Sequence, residues 1–172
     1  MKWKIKGDVP RHLNKYLIIV APHTSNWDFI IGLFVRRICK FKSGYLGKRQ
    51  LFNWPFGWLF RRLGGYPVDR KSAHNVVDQV VNLINVNDFF VLAITPEGTR
   101  SNVVKWKTGF YFIAKKSGIP IVLTSLDYNK KLVTFDQPYY ILENMHADEL
   151  YINSRFVNVS GKNRITAPFK LT

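Results

Sequence analysis

The sequence predicts an α/β fold, a single-domain sandwich in which a central, mostly parallel or mixed β-sheet is flanked by helices. Three observations carry this expectation. Apolar runs of strand length at Tyr16–Ala21, Phe89–Ile94 and Ile119–Ser125 alternate with stretches whose apolar residues recur at helical spacing. A chain of 172 residues has the size of one ordinary domain, which leaves no room for a second large one. A composition 47% hydrophobic and 15% aromatic belongs to a packed core and not to a basic disordered tail.

The elements follow in order. Tyr16–Ala21 is short, rich in β-branched residues and stopped by Pro22, as a buried strand would be. Ser25 or Asn26 caps a helix on which Phe29, Leu33, Phe34 and Ile38 recur up to Lys40. Tyr45–Lys48 reads as a short strand. After it, Phe52, Trp54, Phe56, Trp58, Leu59 and Phe60 crowd around Pro55 and Gly57, more rings than one short segment can bury. Gly64 to Arg70 reads as a structured loop. Ser72 caps a helix whose stripe is Val76, Val77, Val80, Val81 and Ile84. The strand at Phe89–Ile94 comes next, then a loop from Thr95 to Arg100. A helix over Phe110–Lys116 is stopped by Gly118 and followed by the strand at Ile119–Ser125. The tail offers strands at Leu132–Phe135 and Tyr139–Leu142 and a short helix near Ala147–Arg155.

Charge and cysteine content narrow the function. Lys and Arg number 26 against 11 Asp and Glu, a formal charge of +15 that attracts polyanions, phosphate-bearing ligands or anionic membranes. Residues 1–128 hold 20 of the basic and 7 of the acidic side chains, so the field belongs to the first three quarters. The single cysteine, Cys39, excludes an intramolecular disulfide framework and a four-thiolate metal site. No run of 18 or more apolar residues is present to cross a bilayer. The opening from Met1 to Lys15 lacks the apolar segment of an export signal, so the expectation is a chain that stays where it is made. A nucleic-acid module would suit the charge, but the sequence has no reading helix, zinc-ligand spacing or RNA-binding aromatic motif.

Two polar clusters lie beyond the C-terminal ends of predicted strands, where α/β proteins place their sites. In the first, His23 and Asp28 lie across a turn into a helix. The carboxylate can reach back to one imidazole nitrogen and leave the other to accept a proton, or it can simply cap the helix. In the second, Glu97, Gly98, Thr99 and Arg100 combine a carboxylate, a flexible glycine, a hydroxyl and a guanidinium. Arg100 is suited to grip a phosphate, and the alternative is a local Glu97–Arg100 ion pair. Arg70 and Lys105 are further candidates for holding an anion.

The order of these clusters resembles the glycerolipid or lysophospholipid acyltransferase family, which includes 1-acyl-glycerol-3-phosphate acyltransferases. His, four intervening residues and Asp are matched by His23 to Asp28. A loop ending in a basic residue is resembled by Gly64 to Arg70. Pro-Glu-Gly-Thr-Arg-Ser is matched in full by Pro96 to Ser101, and a proline-bearing apolar strand is resembled by Gly118 to Leu123. The resemblance covers about residues 16–128, and residues 129–172 are an unassigned completion of the same domain. Pro22 stands where many relatives have Asn, and Leu123 where a second proline is common.

The resemblance implies transfer of a fatty acyl group from a thioester of coenzyme A or acyl carrier protein to a lysophospholipid hydroxyl. His23 would be the general base and Asp28 its orienting partner, while Glu97, Gly98, Thr99, Arg100, Arg70 and Lys105 would bind the acceptor. No metal or resident cofactor is implied, since the thioester is a co-substrate. The aromatic cluster is read as a membrane face, with Trp54, Phe56, Trp58 and Phe60 entering lipid and Arg61 and Arg62 meeting phosphates; the alternative is a Pro-bent core segment. The expected location is the cytoplasm, peripherally on the inner face of the cell membrane. Another lipidic acceptor, or a non-catalytic basic lipid-binding protein on the same fold, are the readings the residues leave open.

Overall fold

The computed structural model describes residues 3–69, 73–101, 103–142, 144–163 and 167–171. Its strands are Lys4–Lys6 (β1), Lys15–Ala21 (β2), Gly44–Lys48 (β3), Gly65–Val68 (β4), Phe90–Ile94 (β5), Ile121–Asp127 (β6) and Leu132–Phe135 (β7). Its α-helices are Trp27–Ile38 (α1), Gly57–Arg62 (α2), Ala73–Val86 (α3), Gly109–Ser117 (α4) and Met145–Ser154 (α5), with a 3-10 turn at Arg49–Phe52. The strands form one sheet in the order β1-β7-β6-β2-β5-β3-β4. It is parallel from β6 to β4; β7 runs antiparallel to β6, and β1 pairs parallel with β7. The fold is therefore the α/β sandwich with a mixed, mostly parallel sheet.

The period of two along β2 assigns its two faces. Leu17, Ile19 and Ala21 join Val77, Val80 and Ile84 of α3 and Phe110, Tyr111 and Ile113 of α4 in the larger core. Tyr16 and Ile18 join Val35 of α1 in a second core on the opposite face, with Val91, Val122 and Leu126. Both faces of the central strand are buried, which is why it reads as a continuous apolar run. Gly118 ends α4 in the left-handed conformation at φ +66°, where a Cβ would be strained.

The sequence expectations fail in two places. Gly64 to Arg70 is not a loop throughout: Gly65–Val68 is edge strand β4, and Pro67 is tolerated because one side of an edge strand needs no donor. Arg70, and Ser72 as a cap for α3, lie outside the described residues. Tyr139–Leu142 is not a strand; only Tyr139 forms an isolated bridge, to Ile121.

The tail docks through a buried carboxylate. Asp148 of α5 is fully buried and accepts from Tyr111 Oη (2.9 Å), Tyr139 Oη (2.7 Å) and the Leu142 amide (3.0 Å). Burial, then the neighbouring anion, pushes the Tyr111 phenol up to about 12, so it remains a donor. Asp148→Ala should leave three donors without their acceptor, the buried Tyr111 phenol among them, and lower stability by about 3 kcal/mol, whereas Tyr111→Phe, which removes one donor, should cost about 1 kcal/mol. Urea denaturation followed by circular dichroism checks both.

Candidate active site

The parallel centre of the sheet brings the two polar clusters together. β2 pairs with β5 on one side and with β6 on the other, with Ile19 opposite Ile94 and Ala21 opposite Ser125. Three adjacent strands thus release their chains at the same edge. The segment His23 to Asp28 leaves β2, Thr95 to Arg100 leaves β5, and Tyr128 follows the last residue of β6.

Asp28 sits in the first turn of α1 and folds back over the preceding loop. Its Oδ2 accepts from the amides of Thr24 (2.7 Å) and Ser25 (2.8 Å) and lies 3.1 Å from His23 Nδ1. The imidazole meets that oxygen at ion-pair distance but off the line of a good hydrogen bond. Oδ1 accepts from the Tyr128 hydroxyl at 2.5 Å. The helix start itself is secured by Ser25 Oγ, which accepts from the Trp27 amide (3.2 Å), and not by the Asn26 side chain.

The Asp28 side chain is 2% exposed and that of His23 19% exposed, with Nδ1 itself buried. The solvent-facing edge of the ring is therefore the one that carries Nε2. Burial alone would push the Asp28 carboxyl up. The contacts with His23 and Tyr128 and the amides of Ser25 and Thr24 outweigh it and hold the group below the usual carboxylate range. A permanent anion beside Nδ1 favours a proton on that nitrogen and leaves Nε2 as the acceptor.

Glu97 is fully buried, and its Oε2 accepts from the His23 amide at 3.1 Å. The carboxylate of the second cluster thus braces the first. Gly98 turns at φ +68° with the Lys107 side chain over it, where a Cβ would meet Lys107 at 2.9 Å. Thr99 Oγ1 accepts from the Ser101 amide (3.2 Å). Arg100 is exposed and forms no ion pair with Glu97, which leaves its guanidinium turned to solvent; Lys105 is exposed too. Among the described residues, no group of three His, Cys, Asp or Glu side chains is arranged to hold a metal ion.

The aromatic cluster divides in two. Phe52 is buried in a niche that glycines provide: a Cβ on Gly47 or Gly65 would come within 2.8 Å of its ring. Phe60 is half-buried and packs edge-on against Phe52, and Arg61 lies over the same ring while donating to the Phe52 carbonyl (3.1 Å). Trp54, at 93% exposure, points outward with Phe56 and Trp58, and Arg62 is exposed. Sequence reasoning missed how much of the apolar stripe of α1 faces solvent: Phe34 and Ile38 of that stripe are exposed, and Trp27 and Ile30 are exposed with them. It also missed Tyr128 and the tail residues that hold the first loop: Lys162 N donates to Thr24 Oγ1 and Asn163 Nδ2 to the Thr24 carbonyl, both at 2.9 Å.

The family model described as Acyltransferase matches residues 2–125, the span that contains both loops and the three central strands. The chain belongs to the acyltransferase family. It is also 30% identical over 130 residues to a 1-acyl-sn-glycerol-3-phosphate acyltransferase of Streptococcus pneumoniae (strain ATCC BAA-255 / R6). That alignment covers 70% of this chain and 47% of the relative, so the chain spans about half the length of the curated relative it matches. The match ends at Ser125, two residues short of the end of β6, and Tyr128 and the tail that clasps Thr24 lie beyond it.

The depressed Asp28 carboxyl gives a signed pH dependence. A group that ionises more readily folded than unfolded adds stability above its unfolded value, about 3.9, and loses that contribution as pH falls through the folded value. Asp28→Asn should therefore be less stable than wild type at neutral pH, with the gap closing on acidification below about pH 4. Urea denaturation of both proteins across that range measures the gap.

Proposed function

We propose that this chain transfers a fatty acyl group from an acyl-CoA or acyl-carrier-protein thioester to the hydroxyl of a lysophospholipid, with 1-acyl-glycerol-3-phosphate as the first acceptor to test. The observation that carries this reading is the buried Asp28 anion facing His23 Nδ1 beside the loop that ends in exposed Arg100. Family membership and the printed name of the pneumococcal relative support the chemistry.

Nε2 of His23 takes the proton of the acceptor hydroxyl as its oxygen attacks the thioester carbon. Asp28 stabilises the imidazolium that forms. The tetrahedral oxyanion collapses, the carbon–sulfur bond breaks, and the imidazolium returns its proton to the departing thiolate. The products are an ester and a free thiol, and no acyl-enzyme is required. Cys39 is unsuited to form one. Its thiol is pushed up by burial, and it follows the C-terminal end of the 12-residue α1, roughly 18 Å along the axis from the end near His23. Arg100 is the phosphate-binding candidate, with Arg70 and Lys105 as further cations. Glu97, closed off from solvent, supports the site from beneath by fixing the His23 backbone.

Both substrates are anionic at one end and apolar at the other. The exposed rings of Trp54, Phe56 and Trp58, the outward stripe of α1 and the +15 charge support docking of the domain on an anionic membrane surface. Among the described residues, no helix is long and apolar enough to cross a membrane.

Purified protein supplied with thioester donors and lysolipid acceptors should form acylated product detectable by mass spectrometry. His23→Ala should lower kcat/KM by roughly 10²–10⁴. In the same assay Arg100→Ala should raise KM for a phosphate-bearing acceptor by about tenfold or more, and Arg100→Lys should not fully restore it. No product from any pair, with folding verified, would count against the reading. The double variant Trp54→Glu, Trp58→Glu should sediment with anionic vesicles at least about tenfold more weakly, since each ring buried in lipid adds about 1.5–3 kcal/mol.

A further inference from the structure

Asp28 has two oxygens in unequal settings. Oδ2 is held by two amides of its own loop and faces His23. Oδ1 accepts from one described group, the phenol of Tyr128, which is 100 residues away in sequence. With the side chain 2% exposed, water has little access to replace that phenol. A buried carboxylate with one oxygen undonated is driven toward its protonated form, and a neutral Asp28 could not support an imidazolium.

We propose that Tyr128 is a positioning residue for the reaction at His23, acting through Asp28: its hydroxyl keeps the buried carboxylate ionised and turned toward the imidazole. This rests on the acyltransferase reading above.

Tyr128 is itself fixed from three sides. It follows β6, whose register against β2 places Ala21 opposite Ser125. Its amide donates to the Ser160 carbonyl at 2.7 Å, and its ring stands edge-on to Trp3 with centroids 5.0 Å apart. The phenol position is therefore inherited from the sheet and the tail. Burial, then the hydrogen bond to Asp28, raises the phenol well above its ordinary value, so it stays a donor and does not compete with His23 as a base. Other ionisable groups on the elements around the pair are Glu97, from the loop after β5, Lys162, whose backbone binds Thr24 while its ammonium lies over Trp27, and Asp127, which precedes Tyr128 and pairs with Lys130 at 3.1 Å.

Tyr128→Phe removes one oxygen and keeps the ring against Trp3 and the amide bond to Ser160. In the purified full chain, kcat should fall about tenfold, a part of the roughly 10²–10⁴ that a general base supplies, with KM for the acceptor within about twofold. In an Asp28→Asn background the same substitution should cost nothing further, because the group it acts on is gone. A second readout needs no turnover: the nitrogen NMR titration of His23, assigned by its loss in His23→Ala. In Tyr128→Phe it should move to lower pH, because a buried carboxylate that has lost its phenol donor is driven toward its protonated form and supports the imidazolium less; in the Asp28→Asn background it should not move.

Two results would overturn the role of Tyr128. One is wild-type kcat with an unmoved His23 titration in Tyr128→Phe, whatever happens to its thermal stability. The other is losses from Tyr128→Phe and Asp28→Asn that multiply. A wild-type protein that acylates no acceptor would overturn the acyltransferase reading alone, and the His23 titration would still decide on Tyr128.

Discussion

A charged carboxylate with almost no access to solvent holds the site together. Asp28 keeps its charge because four groups converge on it: two amides from the loop it caps, the imidazole of His23 and the phenol of Tyr128. Each comes from a different commitment of the chain. The amides require the tight turn after β2, the imidazole requires the fold of that turn over the start of α1, and the phenol requires β6 to lie beside β2. Removing any one leaves a desolvated charge, which costs far more than the lost contact. The local geometry of a six-residue motif is in this sense a property of the whole sheet.

Glu97 repeats the principle one layer below. It is fully buried, and its contact with the His23 amide joins the end of β5 to the end of β2. The arrangement divides labour within the second cluster. The carboxylate is buried and holds the His23 amide, while Arg100 is exposed. The chain carries a formal charge of +15 and exposes two groups of apolar side chains, one on α1 and one around Trp54 to Trp58. That combination suits a substrate that stays partly in a lipid layer.

Much of this was legible in the sequence, and the failures share one cause. The strands β2, β5 and β6 and the helices α1 and α4 announced themselves because each satisfies its pattern within a window of about a dozen residues. The His23–Asp28 pair was legible for the same reason, since both partners lie on one turn. What stayed hidden depends on which strands become neighbours. Tyr128 looks like an ordinary aromatic after a strand until β6 is set beside β2. Glu97 reads as a partner for Arg100 or for the acceptor until its contact with the His23 amide, 74 residues earlier, is known. Gly64 to Arg70 reads as a loop, yet Gly65–Val68 is a strand at the sheet edge, where Pro67 is tolerated. The split between Phe52 and Trp54 depends on glycines from two other strands, which no local pattern displays.

The most direct measurement is the carbon NMR titration of the Asp28 carboxyl in the folded protein. Convergent donors that hold the group ionised predict a resonance that keeps its carboxylate shift down through about pH 4, the range in which an ordinary aspartate takes up its proton. A carboxyl that protonates at or above that range would contradict the account, because Asp28 would then lack the permanent charge on which the readiness of His23 depends.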